Sequence, residues 1–196
     1  MNEFDKKDEE IAYLVQSGQI ELFSILVNRY EVKMTSYARR MLYNAEDVKD
    51  VVQDIFTKAF VYMNSFDKKR KFSSWLYRIA HNEIINAYKK NKRKGFLPLF
   101  DLDVFLPHHL NNDGDKISND LEQKEMQEII SKCLNRIQDK YKEPLALYYL
   151  EGFSYKEIAD IMHLPVSTVG IRIKRSKEIM KHILEKQEYN NHGHPR

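Results

Sequence analysis

From Glu9 to Lys94 the apolar positions recur at helical spacing: Ile11, Leu14 and Val15, then Leu22, Ile25, Leu26 and Tyr30, then Tyr37, Met41 and Leu42. No alternation of strand type runs long enough to compete with that period. Gly18 is the only glycine before Gly95, so the span predicts long helices with one early break. Residues 1–94 therefore read as an all-helical first domain. Residues 95–119 lose the period and collect Pro98, Pro107, His108-His109 and the turn-prone Asn111-Asn112-Asp113-Gly114-Asp115. Compact domains seldom hold structureless loops beyond ~15 residues, so this stretch is read as a flexible linker. Periodicity returns over 120–188, with one helix over Leu121 to Ile137, another opened by Glu143-Pro144 and running through Leu150, and then a capped pair of helices. Residues 189–196 form a polar tail. The fold class is all-α, with two helical domains.

The capped pair is the most specific local pattern in the chain. Ser154-Tyr155-Lys156-Glu157 has the spacing of a capping box, in which the serine side chain and the glutamate satisfy open amide donors reciprocally. Phe153 and Ile158 flank it at staple positions. Ile158, Ala159, Ile161 and Met162 give the helix its apolar stripe. His163-Leu164-Pro165 ends it, because a residue before proline avoids the helical region, and Pro165 can open the next helix. At about 100° per residue, Val169, Ile173, Ser176, Met180, Ile183 and Leu184 gather on one side of that second helix. Ser167, Gly170, Ile171, Lys174, Arg175 and Lys181 face the other way. Helix, short turn and basic amphipathic helix match a helix-turn-helix, whose second helix reads base edges in the major groove. The competing reading is an ordinary helical hairpin with a solvated charged face.

The overall charge of +3 does not by itself call for nucleic acid, but its distribution does. Lys68-Lys69-Arg70-Lys71 are four consecutive bases, and Lys89, Lys90, Lys92, Arg93 and Lys94 add five within six positions. Between these and the helix pair, Asp101 to Glu125 hold seven acids against two lysines. Two phosphate-facing surfaces joined by a segment that avoids or shields them fit that pattern. The single cysteine, Cys133, excludes an internal disulfide framework and lies at core spacing with Ile129, Ile130, Leu134 and Ile137. A buried thiol is the expectation. The histidines do not cluster with it, so no metal site and no cofactor is expected. No run approaches the ~18 apolar residues of a membrane span, and the acidic start, Met1 to Glu10, lacks the charge pattern of a secretory signal. A cytoplasmic location follows as an expectation.

Two further constellations lie in the first domain. In Ala45 to Phe60, Val48, Val51, Val52, Ile55, Ala59 and Phe60 cover one arc of a helix, and Asp47, Asp50, Gln53, Asp54 and Thr57 cover the other. An acidic stripe of this kind is either a docking site for a basic partner or a plain solvated face. Acid-base or metal chemistry is the weakest reading, since no histidine or nucleophile accompanies the carboxylates. The second constellation runs from Lys71-Phe72-Ser73-Ser74-Trp75 to Lys89-Lys90. Aromatic rings interleaved with bases suit single-stranded DNA, which stacks its bases while its backbone follows the charge. Trp75, Leu76, Ile79, Ile84 and Ala87 are mostly at core spacing, and Trp75 is expected to be largely buried. Arg78, His81, Asn82, Asn86, Lys89 and Lys90 are the expected exposed contributors.

These three segments, in this order and spacing, resemble the extracytoplasmic-function (group IV) sigma factors of bacterial RNA polymerase. The resemblance covers nearly the whole chain except the linker and tail. It implies that Asp47, Asp50, Gln53 and Asp54 form the polymerase-binding surface, with Asp50, Gln53 and Asp54 on the clamp coiled coil of the largest subunit. It implies that Lys69, Arg70 and Lys71, in a loop from Ser65, help capture a base flipped from the non-template strand. Trp75, Arg78, His81, Asn82, Asn86, Lys89 and Lys90 would hold the opening duplex at the minus-ten element. Ser154, Ser167, Thr168, Gly170, Ile171, Arg172, Lys174 and Arg175 would serve the minus-thirty-five element. Gly170 stands where the family often has lysine, Asn86 where aspartate is common, and Pro165 near the usual capping serine; these departures bear on which promoter is read. The implied partners are core RNA polymerase, promoter DNA and a membrane-associated anti-sigma factor, with no small-molecule substrate, in a stress or envelope response. A stand-alone DNA-binding regulator and a metal-dependent nuclease using Asp47, Asp50 and Asp54 are the alternatives.

Overall fold

A computed structural model of the chain describes residues 5–42, 44–93, 133–134 and 136–192. Among these residues every regular element is a helix, α or 3-10. The chain divides into two compact units, Met1–Leu99 with Ala159–Leu164, and Phe100–Ile158 with Pro165–Arg196. The expected linker over 95–119, with His108-His109, and most of the expected helix from Leu121 lie outside the described residues, as does His194 of the tail.

The first unit opens with α1 (Asp8–Gln16), whose first turn carries Asp8, Glu9 and Glu10, a favourable charge for the positive end of a helix. It stops at Ser17, and Gly18 takes a φ of 104° that a side chain would resist. A 3-10 turn (Ile20–Leu22) leads into α2 (Phe23–Met41). The next helix, α3 (Ala45–Val61), is capped by the Asn44 side chain, which accepts the Glu46 N–H at 3.0 Å. A second 3-10 turn (Met63–Ser65) precedes α4 (Phe72–Arg93). Helices α2, α3 and α4 pack on one another, and α1 packs on α2 and α4. Ile11, Leu26, Met34, Tyr37, Ile55, Phe72, Leu76, Tyr77 and Ile84 are essentially inaccessible. Lys58 of α3 donates to Glu83 of α4 at 2.7 Å, and that bond raises the ammonium pKa. The Asp8 carboxylate accepts from the Tyr30 hydroxyl at 2.5 Å and from the Arg29 guanidinium. Burial, reinforced by Asp8, pushes the Tyr30 phenol far up, so it stays a donor at any working pH.

The second unit contains α5 (Asp139–Tyr149), the first half of α6 (Tyr155–Met162) and α7 (Val166–His192). Cys133, Leu134, Ile137, Leu145, Ala146, Leu150 and Met180 form its core, with Tyr141, Tyr149, Ile179, Ile183 and Leu184 packed around them. Cys133 is 1% exposed, as expected, and burial raises its thiol pKa. The buried Ser176 hydroxyl has its proton within reach of the Tyr141 carbonyl at 2.8 Å and the Arg172 carbonyl at 2.7 Å. In α5 the helix begins at Asp139, well before the expected start at Glu143-Pro144. The ladder already closes with the Lys142 N–H on the Gln138 carbonyl at 3.0 Å. Pro144 therefore sits inside the helix and removes the one N–H that would reach the Lys140 carbonyl. Packing of α5 on α7 offsets that loss. At the far end α7 continues to His192, through part of the expected tail.

Candidate nucleic-acid interface

Three surfaces correspond to the constellations in the sequence. The first is the outer face of α3, where Val48, Val51, Val52, Ile55 and Ala59 are buried and so turn the opposite arc outward. Asp50, Gln53, Asp54 and Thr57 are exposed, and Asp47 is half-buried. Phe60 departs from expectation. It is 44% exposed because it closes the helix end against Phe23 of α2, with ring centroids 5.2 Å apart, instead of entering the core. Among the described residues no group of three His, Cys, Asp or Glu is arranged to hold a metal ion, Asp47, Asp50 and Asp54 included.

The second surface is the loop between α3 and α4 together with the polar arc of α4. Asp67 orders the loop tip: its carboxylate accepts the Lys69 N–H at 2.9 Å and its carbonyl the Arg70 N–H at 2.9 Å. Lys68, Lys69, Arg70 and Lys71 are thereby presented as an exposed basic run. The buried arc of α4 is Phe72, Leu76, Tyr77, Ala80 and Ile84. Trp75, expected to be largely buried, lies at the edge of that arc. At about 100° per residue it falls on the arc of Arg78, Asn82 and Asn86, and it is only half-buried. Ile79 and Ala87 are likewise half-buried rather than in the core. Trp75 stands against Phe66 and Phe72, with centroids at 5.3 and 5.6 Å, so one flank of the indole is walled by aromatic rings. Asn82, Asn86, Lys89 and Lys90 are exposed, whereas Arg78 and His81, expected to be exposed, are half-buried.

The third surface is the helix pair α6 and α7. The capping box forms as its spacing dictates: Glu157 Oε2 accepts the Ser154 N–H at 2.8 Å and the Ser154 hydroxyl at 2.7 Å, while the Glu157 N–H reaches Ser154 Oγ at 3.3 Å. Phe153 and Ile158 are buried at the staple positions. The turn passes through His163 at a φ of 53°, a left-handed position that costs a non-glycine residue about 1 kcal/mol or more. On α7, Val169, Ile173 and Ser176 point inward. Ser167, Ile171, Lys174 and Arg175 are exposed, with Thr168, Gly170 and Arg172 half-buried beside them. A Cβ at Gly170 would lie 3.7 Å from the Tyr155 ring, ordinary contact, so the first turns of α7 pass close over the start of α6.

Residues 26–94 match the family described as Sigma-70 region 2, and residues 127–180 match Sigma-70, region 4. The chain is 33% identical over 173 residues to the ECF RNA polymerase sigma factor SigW of Bacillus subtilis (strain 168), covering 85% of this chain and 91% of that one. The chain belongs to the ECF RNA polymerase sigma factors. The ECF RNA polymerase sigma-E factor of Escherichia coli (strain K12) is 34% identical over 176 residues, covering 87% of this chain and 91% of its own. In fold, this sigma factor is similar to the sigma factor RpoE solved in complex with the anti-sigma factor NepR from Bartonella quintana, at 23% identity and a TM-score of 0.60. That match covers 83% of this chain and 96% of that one. The acidic stripe and the loop with α4 lie within the region 2 match, and Ser154 and residues 167–175 of α7 within the region 4 match.

The sequence reading missed Phe66, which walls Trp75, and Tyr155, which faces Gly170. An aromatic residue just before the basic run was the available signal for the first. For the second no local signal exists, because the contact depends on how two helices cross.

Proposed function

We propose that this sigma factor binds core RNA polymerase through Asp47, Asp50, Gln53 and Asp54, directs it to particular promoters, and assists strand opening without catalysing a reaction itself. The minus-ten element is assigned to Lys69, Arg70, Lys71, Trp75, Arg78, His81, Asn82, Asn86, Lys89 and Lys90. The minus-thirty-five element is assigned to Ser167, Thr168, Gly170, Ile171, Arg172, Lys174 and Arg175, with Ser154 setting the start of α6. Residues 1–94 and 120–188 are the corresponding domains, working in the cytoplasm where core polymerase and promoters are. The sigma factor RpoE of Bartonella quintana was solved with an anti-sigma factor; a membrane-associated protein of that kind, covering the polymerase-binding face, is the regulator we assign to this chain.

The observation that carries this reading is the division of α3, one arc buried and the other presenting Asp50, Gln53 and Asp54 to solvent. Carboxylates that make no core contact are free to meet a basic helix pair on a partner, where opposite charges set register and speed encounter. Reversing them, as Asp50→Lys with Asp54→Lys, should reduce co-elution with core polymerase by about ten-fold or more, with helicity unchanged. Full co-elution of the doubly reversed protein would contradict the assignment.

A further inference from the structure

Helix α1 precedes the residues matched to region 2, which begin at 26, yet three of its side chains hold the loop between α3 and α4 and the first residue of α4. The Gln16 side-chain amide donates to the Met63 carbonyl and to the Phe66 carbonyl, both at 2.8 Å. Glu9 Oε1 accepts the Phe72 N–H at 2.9 Å, which is an open donor at the first turn of α4. Lys68 Nζ lies 4.4 Å from the centre of the Tyr13 ring, within the range of a cation–π contact. Glu9, Tyr13 and Gln16 are spaced i, i+4 and i+7, so one stripe of α1 makes all four contacts. Ile11, Ala12 and Val15 are buried, which fixes the helix that carries the stripe.

The loop in turn sets the surroundings of Trp75. Phe66, whose carbonyl Gln16 holds, packs its ring on Trp75 at 5.3 Å and on Phe72 at 5.5 Å. Phe72, whose N–H Glu9 holds, packs on Trp75 at 5.6 Å. A base leaving the duplex needs a ring at a fixed place and a loop at a fixed distance from it. Both rings that wall Trp75 are tied through their backbone to α1, so the space beside the indole is formed before DNA arrives.

We propose that Gln16 and Glu9 are positioning residues for promoter opening: they hold the loop and Trp75 in the arrangement that receives the unstacked base. The inference rests on the sigma-factor reading of the loop and α4, and its test separates the two. Trp75 is the only tryptophan, so its emission and its quenching by acrylamide report the loop directly, in the full-length chain and without DNA. Gln16→Met keeps the bulk and loses both donors. Glu9→Ala removes the acceptor, whereas Glu9→Gln keeps one.

The expected result is greater quenching of Trp75 in Gln16→Met and Glu9→Ala, with helicity and co-elution with core polymerase unchanged. Opening of a duplex promoter should fall about ten-fold, the scale expected when one or two net hydrogen bonds are lost. A template already unpaired at the minus-ten element should recover most of the loss, and Glu9→Gln should behave as the parent does. Wild-type quenching and wild-type opening in both Gln16→Met and Glu9→Ala would overturn the positioning role. An equal loss on the unpaired template would overturn it as well, since the defect would then lie elsewhere. Should the unaltered chain itself fail to open any promoter with core polymerase, the sigma-factor reading falls, while Trp75 quenching still decides whether α1 sets the loop.

Discussion

Ile171 is 64% exposed at the start of α7, beside Ser167, Lys174 and Arg175. An aliphatic side chain offers a groove no hydrogen bond; what it can meet favourably is the methyl group of thymine. Ile171→Ala removes methylenes worth roughly 0.8 kcal/mol each when buried, and its exposure in the free protein leaves the core untouched. The expected outcome is a several-fold change in relative use of promoters differing at one thymine of the minus-thirty-five element, read by competitive transcription, with the unfolding midpoint unchanged. Unaltered promoter preference would remove Ile171 from base readout. Residues whose roles are set by local rules were legible before any fold was known. Ser154 and Glu157 cap as their spacing requires, and Cys133 is buried where its apolar neighbours put it. Trp75 was expected to be largely buried, and it sits at the edge of the core, since the helical period places it with Arg78, Asn82 and Asn86.

Helix α4 shows how an element joins fold to function. Its buried arc fixes it against α2 and α3, and its opposite arc carries Trp75, Asn82, Asn86, Lys89 and Lys90 along the path assigned to the opening duplex. Lys89 and Lys90 are exposed, so their contribution is electrostatic and reads out through salt. Replacing both by alanine should weaken promoter opening and flatten its dependence on salt by a slope of about two, roughly one released counterion per lysine. A slope equal to that of the unaltered chain would take them off the phosphates. Helix existence was plain from apolar period throughout the first unit, whereas the start of α5 was misplaced because Pro144 was taken as an opener. Proline is tolerated inside a helix when tertiary packing offsets one lost hydrogen bond, and that packing is invisible to local pattern. The hold of α1 on the loop was invisible for the same reason, its hydrogen bonds joining residues 47, 50 and 63 positions apart.

At the scale of the molecule, two helical units, each with a surface we assign to DNA, share one chain with a stripe we assign to polymerase. Each unit alone offers a small footprint on DNA. Holding both on one polymerase makes the second contact intramolecular, so modest affinities combine into firm engagement. That arrangement accounts for a chain whose net charge of +3 is low while its bases are concentrated in short runs: the enzyme it joins, rather than bulk charge, brings it to DNA. The most direct test of this account is to mix the purified chain with core RNA polymerase and a genomic promoter library and to sequence the transcripts that depend on it. The account predicts starts preceded by a shared pair of elements near minus ten and minus thirty-five. No dependent transcripts from a folded chain and an active core would contradict it.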